Sequence, residues 1–175
     1  MYRDVVTMAK SFHRASLVIP PLRLARLLGQ FSGIVTKSVI DSIGFDGCDF
    51  RVRLDNDLTF GVLFYAVSAA SYLDLRRRGI DVSALRYEDL VARPVDMCRV
   101  VLEFCHLPVS LAELAVKAFD VDSQRNSPLA KSVIGHFKEP ELTAKIQIKL
   151  NELLKKFRLP LIGEPTIMEG TLSCC

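Results

Sequence analysis

The sequence predicts a helix-rich α/β domain, and three neighbouring features predict it. Residues Leu58 to Leu75 carry almost no charge and follow Asp55-Asn56-Asp57, a natural helix N-cap. Arg76-Arg77-Arg78-Gly79 closes that helix with a basic last turn and a glycine at C′. A helix apolar on nearly every face has to be buried on several sides. Ile80 to Tyr87 then has the length of one strand, with Val82, Ala84 and Leu85 interrupted only by Asp81, Ser83 and Arg86. That is the composition of a covered parallel strand. Helix, glycine, strand and polar residues at the strand end make the αβ half of an α/β unit, in which ligands bind outside the carboxyl ends of strands. Tyr87, Glu88 and Asp89 fall at that end. The same residues also suit humbler roles, Glu88 and Asp89 as helix-capping charges and Tyr87 as a packing ring.

Length and composition narrow the field. With 175 residues, half of them apolar, the chain can bury a real core and is not a disordered tail. Its net charge of +3, from 23 basic and 20 acidic residues, is too balanced for a nucleic-acid binder, which carries a concentrated basic face. The longest apolar stretch, residues 60–73, is shorter than the roughly 20 residues that span a bilayer. No signal peptide is expected at the start, where the charges are mixed and no apolar h-region follows at once. The five cysteines are Cys48, Cys98, Cys105, Cys174 and Cys175. Cys98 and Cys105 lie about 10 Å apart along one predicted helix, too far for a disulfide. They read as core thiols of a reducing, cytoplasmic compartment. His13, His106 and His136 are scattered and no zinc-type spacing occurs, so no metal site is expected.

Taken from the start, Tyr2 and Arg3 look like a strand end, and Asp4 is an N-cap for a helix through Val5, Val6, Met8, Ala9 and Phe12 to Arg14. No strand precedes it, so the chain is expected to begin within a domain. Pro20-Pro21 breaks that helix, and Leu22 to Ile43 forms one or two helical segments punctuated by Gly29, Gly33 and Gly44. Residues 46–56 are a polar loop. Arg23 and Arg26 suit a solvated helix face, and Arg76 to Arg78 a helix C-terminus, better than ligand contacts. Pro94 opens a helix with Val95, Cys98, Val101, Leu102 and Cys105 on its apolar face, stopped by Leu107-Pro108. Ser110 and Glu113 suggest a capping box for a helix from Leu111 to Phe119. Residues 122–127 are a polar loop. Pro140 opens the last helix, whose stripe of Leu142, Ile146, Leu150, Leu153 and Phe157 faces the core. Residues 1–160 read as one domain and 161–175 as an irregular tail.

Two segments become one argument when taken together. Tyr2-Arg3-Asp4-Val5-Val6-Thr7-Met8-Ala9-Lys10-Ser11 is a strand end entering a helix, with arginine and serine two turns apart. Leu85-Arg86-Tyr87-Glu88-Asp89-Leu90 is followed by Pro94 and a helix. Both resemble the sulfotransferase family, whose members transfer a sulfuryl group from 3′-phosphoadenosine 5′-phosphosulfate (PAPS) to a hydroxyl or amine. The resemblance covers Tyr2 to about Pro160. It implies an incomplete P-loop-type parallel sheet lacking its first, phosphate-loop strand, and PAPS as co-substrate. It implies that Arg3 and Ser11 hold the donor's 3′-phosphate and that Tyr87 lies beside the adenine. Asp122-Ser123-Gln124 resembles a third contact region. The chemistry suits these roles: arginine offers a forked donor to phosphate oxygens, serine adds a hydroxyl, and a phenol ring can line a base pocket. Ser11 lies roughly 10 Å into the helix, so Arg3 must fold back towards it.

The family's lysine-bearing phosphosulfate loop, its histidine base and its Arg-Lys-Gly segment have no counterpart in this chain, and Val5 stands where a proline often follows Arg-Asp. Sulfuryl transfer needs donors aimed at the charge developing on the bridging and equatorial oxygens. The expectation is therefore a truncated or degenerate sulfotransferase-like protein, with a nucleotide half-site and little or no turnover alone. The acceptor is left open. A competing expectation is a non-catalytic interaction protein or pseudoenzyme, whose open sheet edge is covered by a partner or by a second copy in a homo-oligomer. A kinase-like nucleotide enzyme rests on fold analogy alone. Cys174-Cys175 resembles the doubly prenylated ends of small vesicle-traffic GTPases, without any GTPase motif to accompany it.

Overall fold

The structure, a computed structural model, describes residues 1–42, 52–121 and 127–174. Helix α1 (Val5–Val18) opens at Asp4, whose Oδ1 accepts the backbone N–H groups of Val6 (3.1 Å) and Thr7 (2.9 Å). It runs four residues past Arg14 and stops at Ile19, because Pro20 and Pro21 occupy the first positions of α2 (Pro20–Phe31). Helix α3 (Gly33–Ser42) follows after Ser32. Next come α4 (Thr59–Arg77), α5 (Tyr87–Ala92), α6 (Pro94–Phe104), α7 (Ala112–Lys117), α8 (Lys131–Ile134) and α9 (Ala144–Lys156). The architecture is helix-rich, and no strand forms among the described residues.

Helix α4 is the centre of the core. Asn56 caps it, with Oδ1 accepting from Leu58 and Thr59 N–H at 3.0 Å each. Residues Phe60, Val62, Leu63, Tyr65, Ala66, Val67 and Ala69 are all buried, so its apolar faces are covered on several sides. Helix α1 covers one side through Val5, Ala9, His13 and Ser16, a single helical face. Helix α9 covers another through Leu150, Leu153, Leu154 and Phe157, which join Leu54 and Leu58 in the same cluster. Leu142 and Ile146 pack half-buried at its margin. Helix α9 starts four residues after Pro140, because Thr143 is the side-chain cap, accepting from Ile146 N–H at 3.4 Å.

Helix α4 ends as its sequence predicts. Gly79 adopts φ +76°, Gly79 N–H donates to the Arg76 carbonyl (2.9 Å) and Ile80 N–H to that of Leu75 (3.1 Å). This is the Schellman pattern, and the left-handed φ is why glycine suits it. Helix α6 stops the same way with His106 in the left-handed position (φ 56°). Its buried face is Met97 and Cys98, and Cys105 is exposed, so the apolar face is rotated from the predicted one. The Ser110–Glu113 capping box does not form: a 3₁₀ turn over Val109–Leu111 absorbs Ser110, and α7 has no side-chain cap.

The strand predicted over residues 80–87 is reduced to two single parallel bridges, Tyr2 with Arg86 and Ala84 with Thr171. Tyr2 N–H donates to the Leu85 carbonyl and its carbonyl accepts from Tyr87 N–H, both at 2.8 Å. On the opposite edge Ala84 donates to the Gly170 carbonyl (3.0 Å) and accepts from Leu172 N–H (2.8 Å). The ladder cannot lengthen because Asp4 already caps α1 and Tyr87 already starts α5. The carboxyl-terminal segment has no helix, yet it belongs to the core through Leu159 and Met168. Gly170 explains how it docks: φ is +73°, and a Cβ there would meet Arg76 Cζ at 2.8 Å and the Tyr72 hydroxyl at 3.0 Å.

The α1–α4 crossing yields a stability test. A Cβ on Gly61 would lie 2.6 Å from Ala9 Cα and 2.8 Å from the Ala9 carbonyl oxygen, both backbone atoms that cannot swing aside. Alanine in a helix interior ordinarily gains about 1 kcal/mol over glycine. Overpacking against backbone costs about 1–3 kcal/mol and should win. Gly61→Ala is expected to lower the urea midpoint and Gly61→Val to lower it further; a Gly61→Ala protein more stable than wild type would show that the two helices part freely.

Candidate functional site

Backbone pairing places the first two predicted site residues together. Because Tyr2 bonds to both Leu85 and Tyr87, Arg3 emerges beside Tyr87, and its guanidinium carbon lies 3.5 Å from the centre of the Tyr87 ring. This is a cation–π stack. Both residues are half-buried. Among the described residues no carboxylate comes within ion-pair distance of Arg3 and no acceptor takes its N–H groups.

The acidic groups at this corner are all engaged. Asp4 caps α1. Glu88 Oε1 accepts the backbone N–H of Asp4 at 2.9 Å, a cross-link between α1 and α5 rather than a cap on its own helix. Arg86 lies 3.5 Å from Glu88 Oε2 and 3.7 Å from Asp89 Oδ1. Arg86 thus pairs with the carboxylates in the first turn of α5, a role that sequence reasoning missed because Arg86 counted only as an interruption of the strand.

Ser11 is not in this contact. It sits half-buried on α1, seven residues beyond Asp4 and so on nearly the same helix face, roughly 10 Å along the axis. Its hydroxyl bonds no described residue. The cations flanking it in sequence, Lys10 and Arg14, each reach Glu139 at 3.2 Å, tying α1 to the segment before α9. The third contact region, Asp122-Ser123-Gln124, lies outside the described residues, as do Gly44, Cys48 and Cys175.

Cavities among the described residues also lie elsewhere. One of about 200 Å³ is lined by Met1, Tyr2, Tyr65, Tyr72, Ser83 and Met168, on the amino-terminal side of the extended segments. Burial, and then the neighbouring Tyr2 and Asp4, push the Tyr65 phenol up to about 12. The tyrosines face the tail: the Tyr2 hydroxyl bonds Thr171 Oγ1 (3.0 Å) and Met168 N–H (3.3 Å), and Tyr72 donates to the Glu169 carbonyl (2.7 Å). Arg76 joins them, donating to the Val82 carbonyl at 3.0 Å and pairing with Glu169 at 3.6 Å, so it pins the tail as well as suiting the α4 dipole. A wider cleft of about 650 Å³ runs between residues 53–58 and 140–146. Its carboxylates Asp55 and Asp57 are paired with Lys149 and Arg26. Among the described residues no group of three His, Cys, Asp or Glu side chains could hold a metal ion.

His13 is the one buried imidazole of α1, with Nδ1 unbonded and 3.9 Å from Asp57 Oδ1. Burial first, and then the Arg26 charge, hold its pKa below the ordinary 6.5, against the opposing pull of Asp57.

No protein-family model, no curated protein and no solved structure matches this chain.

The His13 environment makes stability depend on pH. The native imidazole resists the proton that the unfolded chain accepts below 6.5, so the unfolded state binds more protons in that range. Its contribution is complete above that value and declines as the pH falls through it towards the depressed native pKa. Urea midpoints between about pH 7.5 and 5.5 should fall, and His13→Gln should flatten the slope. An unchanged slope in the variant would assign it to other groups.

Proposed function

We propose that this protein is a sulfotransferase-like nucleotide binder, which holds a 3′-phosphoadenosine nucleotide at Arg3 and Tyr87, with Ser11 reached by the phosphate, and transfers little or nothing alone. The observation that carries the reading is the face-on stack of Arg3 on Tyr87. A stacked guanidinium keeps its N–H groups in its own plane, so it can still offer a forked pair to phosphate oxygens while the ring holds it in place. Arg86 supports the same reading by occupying the nearby carboxylates.

The fold reading that accompanies it is an incomplete P-loop-type parallel sheet. Its support is the parallel sense of both bridges and their order, with residues 84–87 between Tyr2 and Thr171. Arg3 follows Tyr2 and Tyr87 follows Arg86, so both lie at the carboxyl ends of extended segments, where ligands of parallel sheets bind. The chain's own residues bind and orient in this scheme. The Arg3 N–H groups and the Ser11 hydroxyl meet phosphate oxygens, and the free edge or face of the Tyr87 ring meets the base. PAPS would supply the sulfuryl group, and no residue of this chain is assigned to activate an acceptor hydroxyl or amine.

Isothermal titration with 3′-phosphoadenosine 5′-phosphate tests the binding. A hydrogen bond to a charged group contributes about 1.5–3 kcal/mol, so Arg3→Ala should weaken binding by about tenfold or more, and Ser11→Ala by a few-fold. Tyr87→Ala should also weaken it, by releasing the guanidinium as well as the base. Affinity absent at millimolar nucleotide, or unaltered by Arg3→Ala, would reject the assignment.

A further inference from the structure

Helix α2 carries two apolar faces, and only one of them is used. Leu22 and Ala25 pack against the core, Gly29 is buried, and Arg26 is bound to Asp57. The outward face bears Leu24, Leu27, Leu28 and Phe31 at i, i+3, i+4 and i+7, continued by Ile34 in α3. These side chains are 58%, 46%, 45%, 80% and 61% exposed. Scattered exposed leucines are ordinary, but four large apolar side chains along one helical line are an unpartnered surface.

Charge says what covers it. Helix α2 contains no carboxylate. Its exposed charge is Arg23, which has no ion-pair partner among the described residues. Arg53, also exposed, donates to the Gln30 carbonyl at the other end of the helix (3.4 Å). Cations therefore stand at both ends of the stripe. Twelve helical residues make a strip roughly 18 Å long. A bilayer surface suits such a strip, because an amphipathic helix lies in the interface plane with its apolar face in the headgroup boundary. Among the described residues no helix is long and apolar enough to cross a membrane.

We propose that α2 is an interfacial helix that seats Leu24, Leu27, Leu28 and Phe31 in the headgroup boundary of an anionic bilayer, with Arg23 and Arg53 facing the lipid phosphates and carboxylates. The inference is independent of the nucleotide site. The chain has no tryptophan, so Phe31→Trp provides a single optical reporter at the most exposed position of the stripe.

Vesicles of phosphatidylcholine with about one fifth phosphatidylserine should shift the Phe31→Trp emission to the blue, and brominated acyl chains should quench it. Binding to phosphatidylcholine alone should be weaker by about tenfold, and Arg23→Glu should remove most of that preference. Leu27→Ser with Phe31→Ser should cut vesicle co-sedimentation by at least about tenfold without altering the circular dichroism of the full chain. Emission indifferent to vesicles, or equal co-sedimentation by the double serine variant, overturns the proposal. So does a dimer, seen by light scattering without lipid and dissolved by the same two serines, because the face would then belong to a second copy.

Discussion

Gly61 lets the backbone of α4 lie directly on that of α1 at Ala9, and the amino-terminal end of the molecule depends on that contact. A helix separated from α4 by one more methyl group would carry Tyr2 away from residues 85–87, whose amide and carbonyl it meets at 2.8 Å on both sides. Hydrogen bonds fail steeply with distance, so the tolerance is a few tenths of an ångström. The stack of Arg3 on Tyr87 is thus a consequence of helix packing two turns away. Phe12 adds to the same seam, edge-on to Phe60 and stacked on Phe64 at centroid separations of 5.2 and 4.6 Å.

Three extended segments meet without forming strands, and side chains supply the cohesion that a ladder would otherwise give. The Tyr2 hydroxyl bonds the tail at Thr171 and Met168, Arg76 and Tyr72 reach Val82 and Glu169, and Glu88 holds the amide of Asp4. All but the Arg76–Val82 bond are long-range links. Such links order the backbone locally while leaving the pairing one residue wide, since α1 and α5 begin immediately after it.

Charge is distributed by the same economy. At the corner where α1 and α5 begin, Asp4, Glu88 and Asp89 are each committed to a backbone amide or to Arg86. Arg26 and Lys149 likewise satisfy Asp57 and Asp55 at the opposite end of α4. The aromatic-stacked guanidinium and the apolar outer face of α2 stand apart from this pattern, one as an unmatched cation and the other as an unmatched hydrophobic stripe. They are different chemistries, and they call for different partners.

Local rules made several features legible from the residues alone. Asp4 as a cap, Gly79 as a left-handed stop, α4 as a helix buried on several sides, and Leu150, Leu153 and Phe157 as core contacts each follow from periodicity and capping chemistry within one turn or two. Boundaries that depend on neighbours were not legible: Ser110 is drawn into a 3₁₀ turn, α9 waits for Thr143, and the strand over 80–87 shrinks to two bridges because helices claim both flanks. Of the candidate site, Arg3, Ser11 and Tyr87 were singled out by what the resemblance to the sulfotransferase family implies. Only the tertiary structure decided that Arg3 meets the Tyr87 ring and that Glu88 reaches the amide of Asp4. The physical reason is range: capping and periodicity act over a few residues of one chain segment, whereas the Arg3–Tyr87 stack and the Glu88 link to Asp4 join positions more than eighty residues apart, and only the packing of α1 on α4 brings them within reach.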